Sequence, residues 1–246
     1  MTNAYALVFP LGVMAGLLWL LLGGLPRRRN PKSRREGPTP AKRVDAGLAA
    51  LVGGLGGARL AFALVHWGYY AGHPAEILVF QQGGLSWVGG AVGALAGLTL
   101  YARLSHQPFW PLADALSFPV IIVAAASWFG CLLEGCAYGR PVALGPFTPP
   151  TVDMFGGRIP RWPTQAVGAL YSLLLLLGLL WSAARPMRPG LLACLTVALI
   201  AGGAFALSYT RADPVSLLFN IRLDALGSAA VFVIGLAGLT YRAAGT

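Results

Sequence analysis

The stretch from Ser127 to Arg140, SWFGCLLEGCAYGR, brings an acid and a guanidinium to the place where a long apolar run stops. Phe118 to Leu133 carries no charge; Glu134, Gly135, Tyr138, Gly139 and Arg140 follow. Charged groups at the mouth of a membrane helix are costly to place, which makes a functional role the default reading. The plain alternative is an ordinary helix exit, with Arg140 reaching for lipid headgroups. Arg161 and Gln165 open a later apolar run, Arg211 and Asp213 follow another, and Arg59 lies inside one of its own. Guanidinium groups gathered at one depth suit a phosphate, which they grip through paired hydrogen bonds. For moving a proton, Glu134 at its apolar boundary is the leading candidate. His66, near the end of its helix, is the second, although a lone histidine there also suits a structural role.

The elements that must position these groups are membrane helices. The chain is 57% hydrophobic and only 11% charged, whereas a soluble domain is nearer a quarter charged. Several uncharged runs reach bilayer-spanning length. Seven spans are expected: Tyr5 to Leu25, Gly47 to Trp67, Leu85 to Ala102, Leu112 to Leu133, Thr164 to Ala183, Leu191 to Tyr209 and Leu223 to Tyr241. The fold expected is an all-α integral membrane protein, one polytopic unit over 1–246. Arg59 inside its span costs about 2.5–3.5 kcal/mol on insertion scales unless it faces protein or a wet cavity. Asp114, near the start of the fourth span, reads as a helix-end or packing acid.

Charge placement sets the orientation. Eight of the 18 basic residues fall between the first two spans: Arg27, Arg28, Arg29, Lys32, Arg34, Arg35, Lys42 and Arg43. The positive-inside bias makes 26–44 a basic cytoplasmic loop, with the N-terminus outside and the C-terminus in the cytoplasm. Twelve basic residues then lie on the cytoplasmic side and five on the outer side. The outer side also carries the two long connections, 68–84 and 134–163, and recognition tends to sit on such loops. The net charge of +10 is accounted for by this loop and by anionic membrane lipids. No nucleic-acid partner is expected, because no recognition module accompanies the charge.

Two further features carry less. Cys131 and Cys136 are five apart, about 140° around an α-helix, so they share a face only if the helix breaks at Gly135. Small apolar packing is the expected role, with a redox pair as the alternative. No metal site is expected, for want of ligands at suitable spacing. Gly83 to Gly90, GGLSWVGG, allows close helix approach or backbone N–H groups turned to an anion. Without the lysine and serine of a P-loop, packing is the expected use.

Three blocks resemble the prolipoprotein diacylglyceryl transferase family. The first is ARLAFALVHWGYYAGHPAEIL from Ala58, running into QGGLSWVGG from Gln82, similar to an arginine-bearing second helix and a GG-L-S-F-H-G-G segment. The second is FWPLADAL from Phe109, with Asp114 at the family's aspartate. The third is GCLLEGCAYGRP from Gly130 with RWPTQ from Arg161, similar to G-R-I-G-N-F-I-N-G-E-x-x-G-R and R-H-P-S-Q. A weaker echo lies in YTRADP from Tyr209.

Polar positions of the family are replaced in several places. Its histidine falls on Val88, its first signature arginine on Trp128, and its sixth-helix arginine on Ala204. Its first signature asparagine falls on Cys131, its second on Glu134, its glutamate on Cys136, and the glutamate after the sixth-helix arginine on Ser208. What the resemblance implies is transfer of a diacylglyceryl group from phosphatidylglycerol to the lipobox cysteine of a prolipoprotein signal segment, releasing glycerol phosphate. The setting implied is the bacterial cytoplasmic (inner) membrane, with no cofactor. The catalytic set expected is Glu134, Arg140 and His66; the substrate-binding set is Arg59, Arg161, Gln165, Arg211, Gly83, Gly84 and Gly139. The alternative is a catalytically silent relative that binds phospholipid or a lipoprotein signal segment. A transporter is a weaker third class, since no inverted repeat is visible.

Overall fold

The computed structural model describes residues 4–23, 38–80, 83–148, 150–153, 155–183, 185 and 187–244. Seven helices are long and apolar enough to cross a membrane: α1 (Ala4–Leu21), α2 (Pro40–Val65), α4 (Trp87–Leu104), α5 (Phe109–Glu134), α6 (Thr164–Ala183), α7 (Leu191–Ser208) and α8 (Leu223–Ala244). A single-turn helix α3 (Trp67–Tyr70) and a 3-10 turn (Pro74–Leu78) lie between α2 and α4. Two short antiparallel hairpins were not foreseen. One pairs β1 (Pro150–Val152) with β2 (Arg158–Pro160), Thr151 facing Ile159. The other pairs β3 (Leu217–Leu218) with β4 (Ile221–Arg222) around Phe219 and Asn220, both at positive φ. Such a two-residue turn needs left-handed residues, and Asn tolerates that conformation well.

Local chemistry sets the helix ends. Thr39 caps α2 by accepting from the Lys42 amide, and Pro40 sits in the first turn, where its missing N–H costs nothing. The second span therefore starts before Gly47, and the far end of the expected basic loop, Pro40 to Val44, is already helical. The arginines and lysine from Arg27 to Arg35 lie outside the described residues. α5 ends on Gly135, at φ 81°, whose amide closes onto the Cys131 carbonyl at 2.8 Å. A side chain there would strain the left-handed backbone and strike the Val152 carbonyl. α7 takes its cap from another helix. Asp114 on α5 accepts from the Gly190 and Ala193 amides at 2.8 and 2.9 Å.

The helices pack closely in pairs: α1 with α5, α2 with α4, and α7 with α8. Along α2 and α4, Gly53 and Gly57 face Gly89, Gly93 and Gly97 so tightly that a methyl on Gly93 would sit 2.9 Å from the Gly57 Cα. Small residues let backbones approach where lipid offers no hydrophobic drive. Two buried apolar clusters fill the end of the bundle nearest Asp114. One gathers Leu20, Ala46, Leu98, Ala102, Leu112 and Leu116; the other gathers Phe118, Ile121, Leu179, Ala183 and Leu192. Large apolar side chains such as Leu7, Leu11, Leu170 and Leu174 are exposed on the outer faces of α1 and α6, as a lipid-facing surface requires.

Candidate functional site

The opposite end, nearest Glu134, is hollow. A cavity of about 1140 Å³ is walled by α2, α4, α5, α6, α7 and α8, with Ile121 at its lower limit. Its wall is mostly apolar. The exposed Leu60, Leu64 and Val92 belong to it, so it reaches the bundle surface along one side of the closely packed α2–α4 pair. Arg211, Asp213 and Asp224 bring charge to it, and Arg211 is its one guanidinium among the described residues.

Backbone pairing roofs this end. The segments after α5, before α6 and after α7 interlock: the Arg140 amide donates to Thr210, Trp162 to Arg140, Val142 to Pro160 and Ala212 to Tyr138, all at 2.9–3.1 Å. Gln165, on the first turn of α6 and buried, donates to the Cys136 carbonyl at 2.9 Å. Gly139 pairs with Arg211 as an isolated bridge, and any side chain on it would collide with the Trp162 carbonyl. Gln165 and Gly139 are thus engaged in holding the roof.

Arg211 and Arg222 form an interlocked square with two aspartates. Arg211 grips Asp213 through Nε at 2.8 Å and Nη2 at 2.5 Å and reaches Asp224 at 3.2 Å; Arg222 pairs with Asp224 at 3.1 Å and Asp213 at 3.4 Å. Burial alone works against the Arg211 cation. Its hydrogen bond to Asp213 and the charges of Asp213 and Asp224 outweigh that and hold its pKa above the ordinary arginine value. Arg222 and Asp224 did not enter the expected site. The signal was there: Arg211-Ala212-Asp213 and Arg222-Leu223-Asp224 repeat one R-x-D spacing.

The expected convergence of arginines on a phosphate is not what the structure shows for Arg59 and Arg161. Arg59 is buried, and its five N–H donors meet five backbone carbonyls, those of Glu76, Ile77, Val79, Gly83 and Gly84, at 2.6–3.1 Å. Tyr70 and Phe80 cover it. No donor is left over for a ligand. Gly83 and Gly84, at φ 77° and 75°, turn their carbonyls inward to this arginine. Arg161 is likewise buried, held by Asp153 at 2.6 Å, by the Gly139 carbonyl at 3.3 Å and by the Tyr138 ring. Its Nε alone has no partner among the described residues. Arg140 differs: its side chain is exposed and makes no hydrogen bond or ion pair with the described residues.

Glu134 does not face the cavity either. Its Oε2 accepts from the Ala4 amide at 3.0 Å, tying the first turn of α1 to the last turn of α5. His66 does belong to the cavity wall. Its Nδ1 lies 2.9 Å from the Phe62 carbonyl, which can only accept, so Nδ1 donates there and, in the neutral ring, Nε2 is the nitrogen with a lone pair. The expected packing role for the cysteines is corrected: Cys131 and Cys136 form a disulfide with Cα atoms 4.6 Å apart. The helix breaks at Gly135, so the 140° separation of an unbroken helix no longer applies. No cluster able to hold a metal occurs among the described residues.

Val88, Trp128, Cys131 and Ala204, four of the positions at which polar residues of the resembled family are replaced, all line this one cavity. The comparisons with known proteins agree with the resemblance. The family model for prolipoprotein diacylglyceryl transferase matches residues 2–241. A phosphatidylglycerol–prolipoprotein diacylglyceryl transferase of Azoarcus sp. is 34% identical over 183 residues, 72% of this chain and 66% of the relative. The protein of that name from Trichormus variabilis is 27% identical over 220 residues, 85% of this chain and 77% of the relative. The chain thus spans just under two thirds of the length of the first of these. With the match running through all seven spans, the chain belongs to the prolipoprotein diacylglyceryl transferase family.

Proposed function

We propose that this protein transfers a diacylglyceryl group from phosphatidylglycerol to the thiol of a prolipoprotein lipobox cysteine, in the bacterial cytoplasmic membrane with its Glu134 end outward. The observation that carries the reading is the cavity: lipid-sized, apolar along six membrane helices, open to the bundle surface beside the α2–α4 pair, and charged at Arg211, Asp213 and Asp224. Acyl chains suit its apolar wall. The acceptor thiolate attacks the glycerol carbon bearing the phosphate, the C–O bond breaks, and its electron pair leaves on glycerol phosphate. His66 Nε2 is the free acceptor for the thiol proton, a step needed because the thiol itself is a poor nucleophile. Arg211 meets the phosphate as charge develops, and the exposed Arg140, whose side chain has no partner among the described residues, meets it on entry. Arg59, Arg161, Gln165, Gly83, Gly84 and Gly139 support the site by fixing its loops, and Glu134 by anchoring α1.

The second reading, a silent relative that binds phospholipid, is favoured by Val88, Trp128 and Ala204, which leave the wall without the family's histidine and two arginines. Purified protein given phosphatidylglycerol and a lipobox peptide separates the two. The transferase releases glycerol phosphate, and His66→Gln lowers release at least tenfold while lipid binding persists. Lipid retained by the wild-type protein with no release assigns it to the second reading.

A further inference from the structure

Cys131 and Cys136 sit on either side of the Gly135 turn and differ in what they face. Cys131 belongs to the cavity wall with Trp128 and Ala137. Cys136 is not part of that wall, and its carbonyl accepts from Gln165. A thiol entering the cavity therefore approaches the disulfide from the Cys131 side. Which sulfur of a disulfide is attacked follows access.

We propose that the Cys131–Cys136 disulfide is a thiol-exchange site that captures the cysteine of the acceptor inside the cavity. That the acceptor is a peptide thiol rests on the function proposed above. The acceptor thiolate, its proton already given to His66 or water, attacks Cys131 Sγ. The Cys131–Cys136 bond breaks, its electron pair leaves on Cys136 as a thiolate, and a new S–S bond joins the acceptor to Cys131. The return step runs the same chemistry backwards. Cys136, kept close by the turn, attacks Cys131 Sγ, remakes the internal disulfide and expels the acceptor sulfur as a thiolate. Nothing is oxidised or reduced overall, and no further reagent is needed. The exchange holds the acceptor in place, which raises its effective concentration. It also discharges the sulfur in the form that attacks carbon, in a wall whose position 88 offers only valine.

The full chain in detergent, incubated with a single-cysteine lipobox peptide, quenched with acid and mapped by mass without reductant, tests this. A mixed disulfide on Cys131 with Cys136 free is the expected product. The two single variants give a rate comparison that does not depend on the position of that equilibrium. Offered the peptide as its thiopyridyl disulfide, Cys136→Ala should load it at least tenfold faster than Cys131→Ala. Peptide found on Cys136, equal loading rates, or Cys131 and Cys136 both found as free thiols in the purified wild-type protein overturns the proposal. Glycerol phosphate release, followed in the same samples, reports the transferase reading separately. Capture without release sinks that reading alone, and release without capture sinks the exchange alone.

Discussion

One set of helices builds a filled half and a hollow half. Towards Asp114 the helices close around Leu112, Ile121, Leu179 and Leu192, each almost or wholly inaccessible. Towards Glu134 the same helices stand apart around about 1140 Å³ of space. The difference does not track polarity along the chain. Buried polar groups occur in both halves: Asp114 in the filled one, Arg59, Arg161 and Gln165 in the hollow one. Each of these four is hydrogen-bonded to backbone, as burial in a low-dielectric setting demands. A guanidinium inside a membrane bundle is therefore not in itself the mark of a ligand site. Arg59 organises a loop; Arg211 faces a cavity.

Removing a buried organiser should cost folding, and this gives the largest effect. Arg59→Ala leaves five carbonyls of the 76–84 loop without their donor. A loss of about 3–5 kcal/mol is expected, read as a lower unfolding midpoint in detergent and faster proteolysis of that loop. Arg59→Lys should recover little, because a single ammonium has three donors for five acceptors. An Arg59→Ala protein that unfolds like wild type but has lost lipid would place this arginine with the ligand instead. In the filled half, Asp114→Ala removes the side chain that caps α7 and should cost about 2 kcal/mol. Lipid binding by the folded fraction should be unchanged.

The hollow half should respond in the opposite way. Ala204 lines the cavity on α7, and Ala204→Phe places a ring where acyl chain is proposed to lie. Phosphatidylglycerol binding should weaken at least tenfold, about 1.4 kcal/mol, while the unfolding midpoint holds or rises. If binding is unaltered, the lipid sits elsewhere.

The contrast between halves also explains what could be read from the sequence. The seven helices were legible because apolar length is a local property, and Thr164 to Ala183 was placed to the residue. The start of α2 was not, because its first turn, PAKRV, is polar. Thr39-Pro40 nevertheless carries a start signal. Arg59 was visible as costly, but its acceptors are loop carbonyls, which have no side-chain signature. The disulfide hung on whether Gly135 ends the helix, a condition the spacing alone could state but not decide. Arg211 and Asp213 were legible as polar residues at a helix exit. Their interlock with Arg222 and Asp224 required the hairpin that folds one R-x-D pair against the other.

Glu134 gives the smallest effect and the closest test of the boundary between anchoring and chemistry. As a proton acceptor it would need its charge, and Glu134→Gln would then slow glycerol phosphate release by about 10²–10⁴-fold. As an anchor it needs only an oxygen for the Ala4 amide, and glutamine supplies one. Release within twofold of wild type is therefore expected for Glu134→Gln, with a stability change of about 0.5 kcal/mol or less. Glu134→Ala, which leaves that amide without its partner, should instead loosen α1 at this end and cost about 1 kcal/mol. A Gln variant as impaired in release as the Ala variant, with its unfolding midpoint intact, would return Glu134 to the reacting groups. The hollow half would then extend past Gly135 to the start of α1.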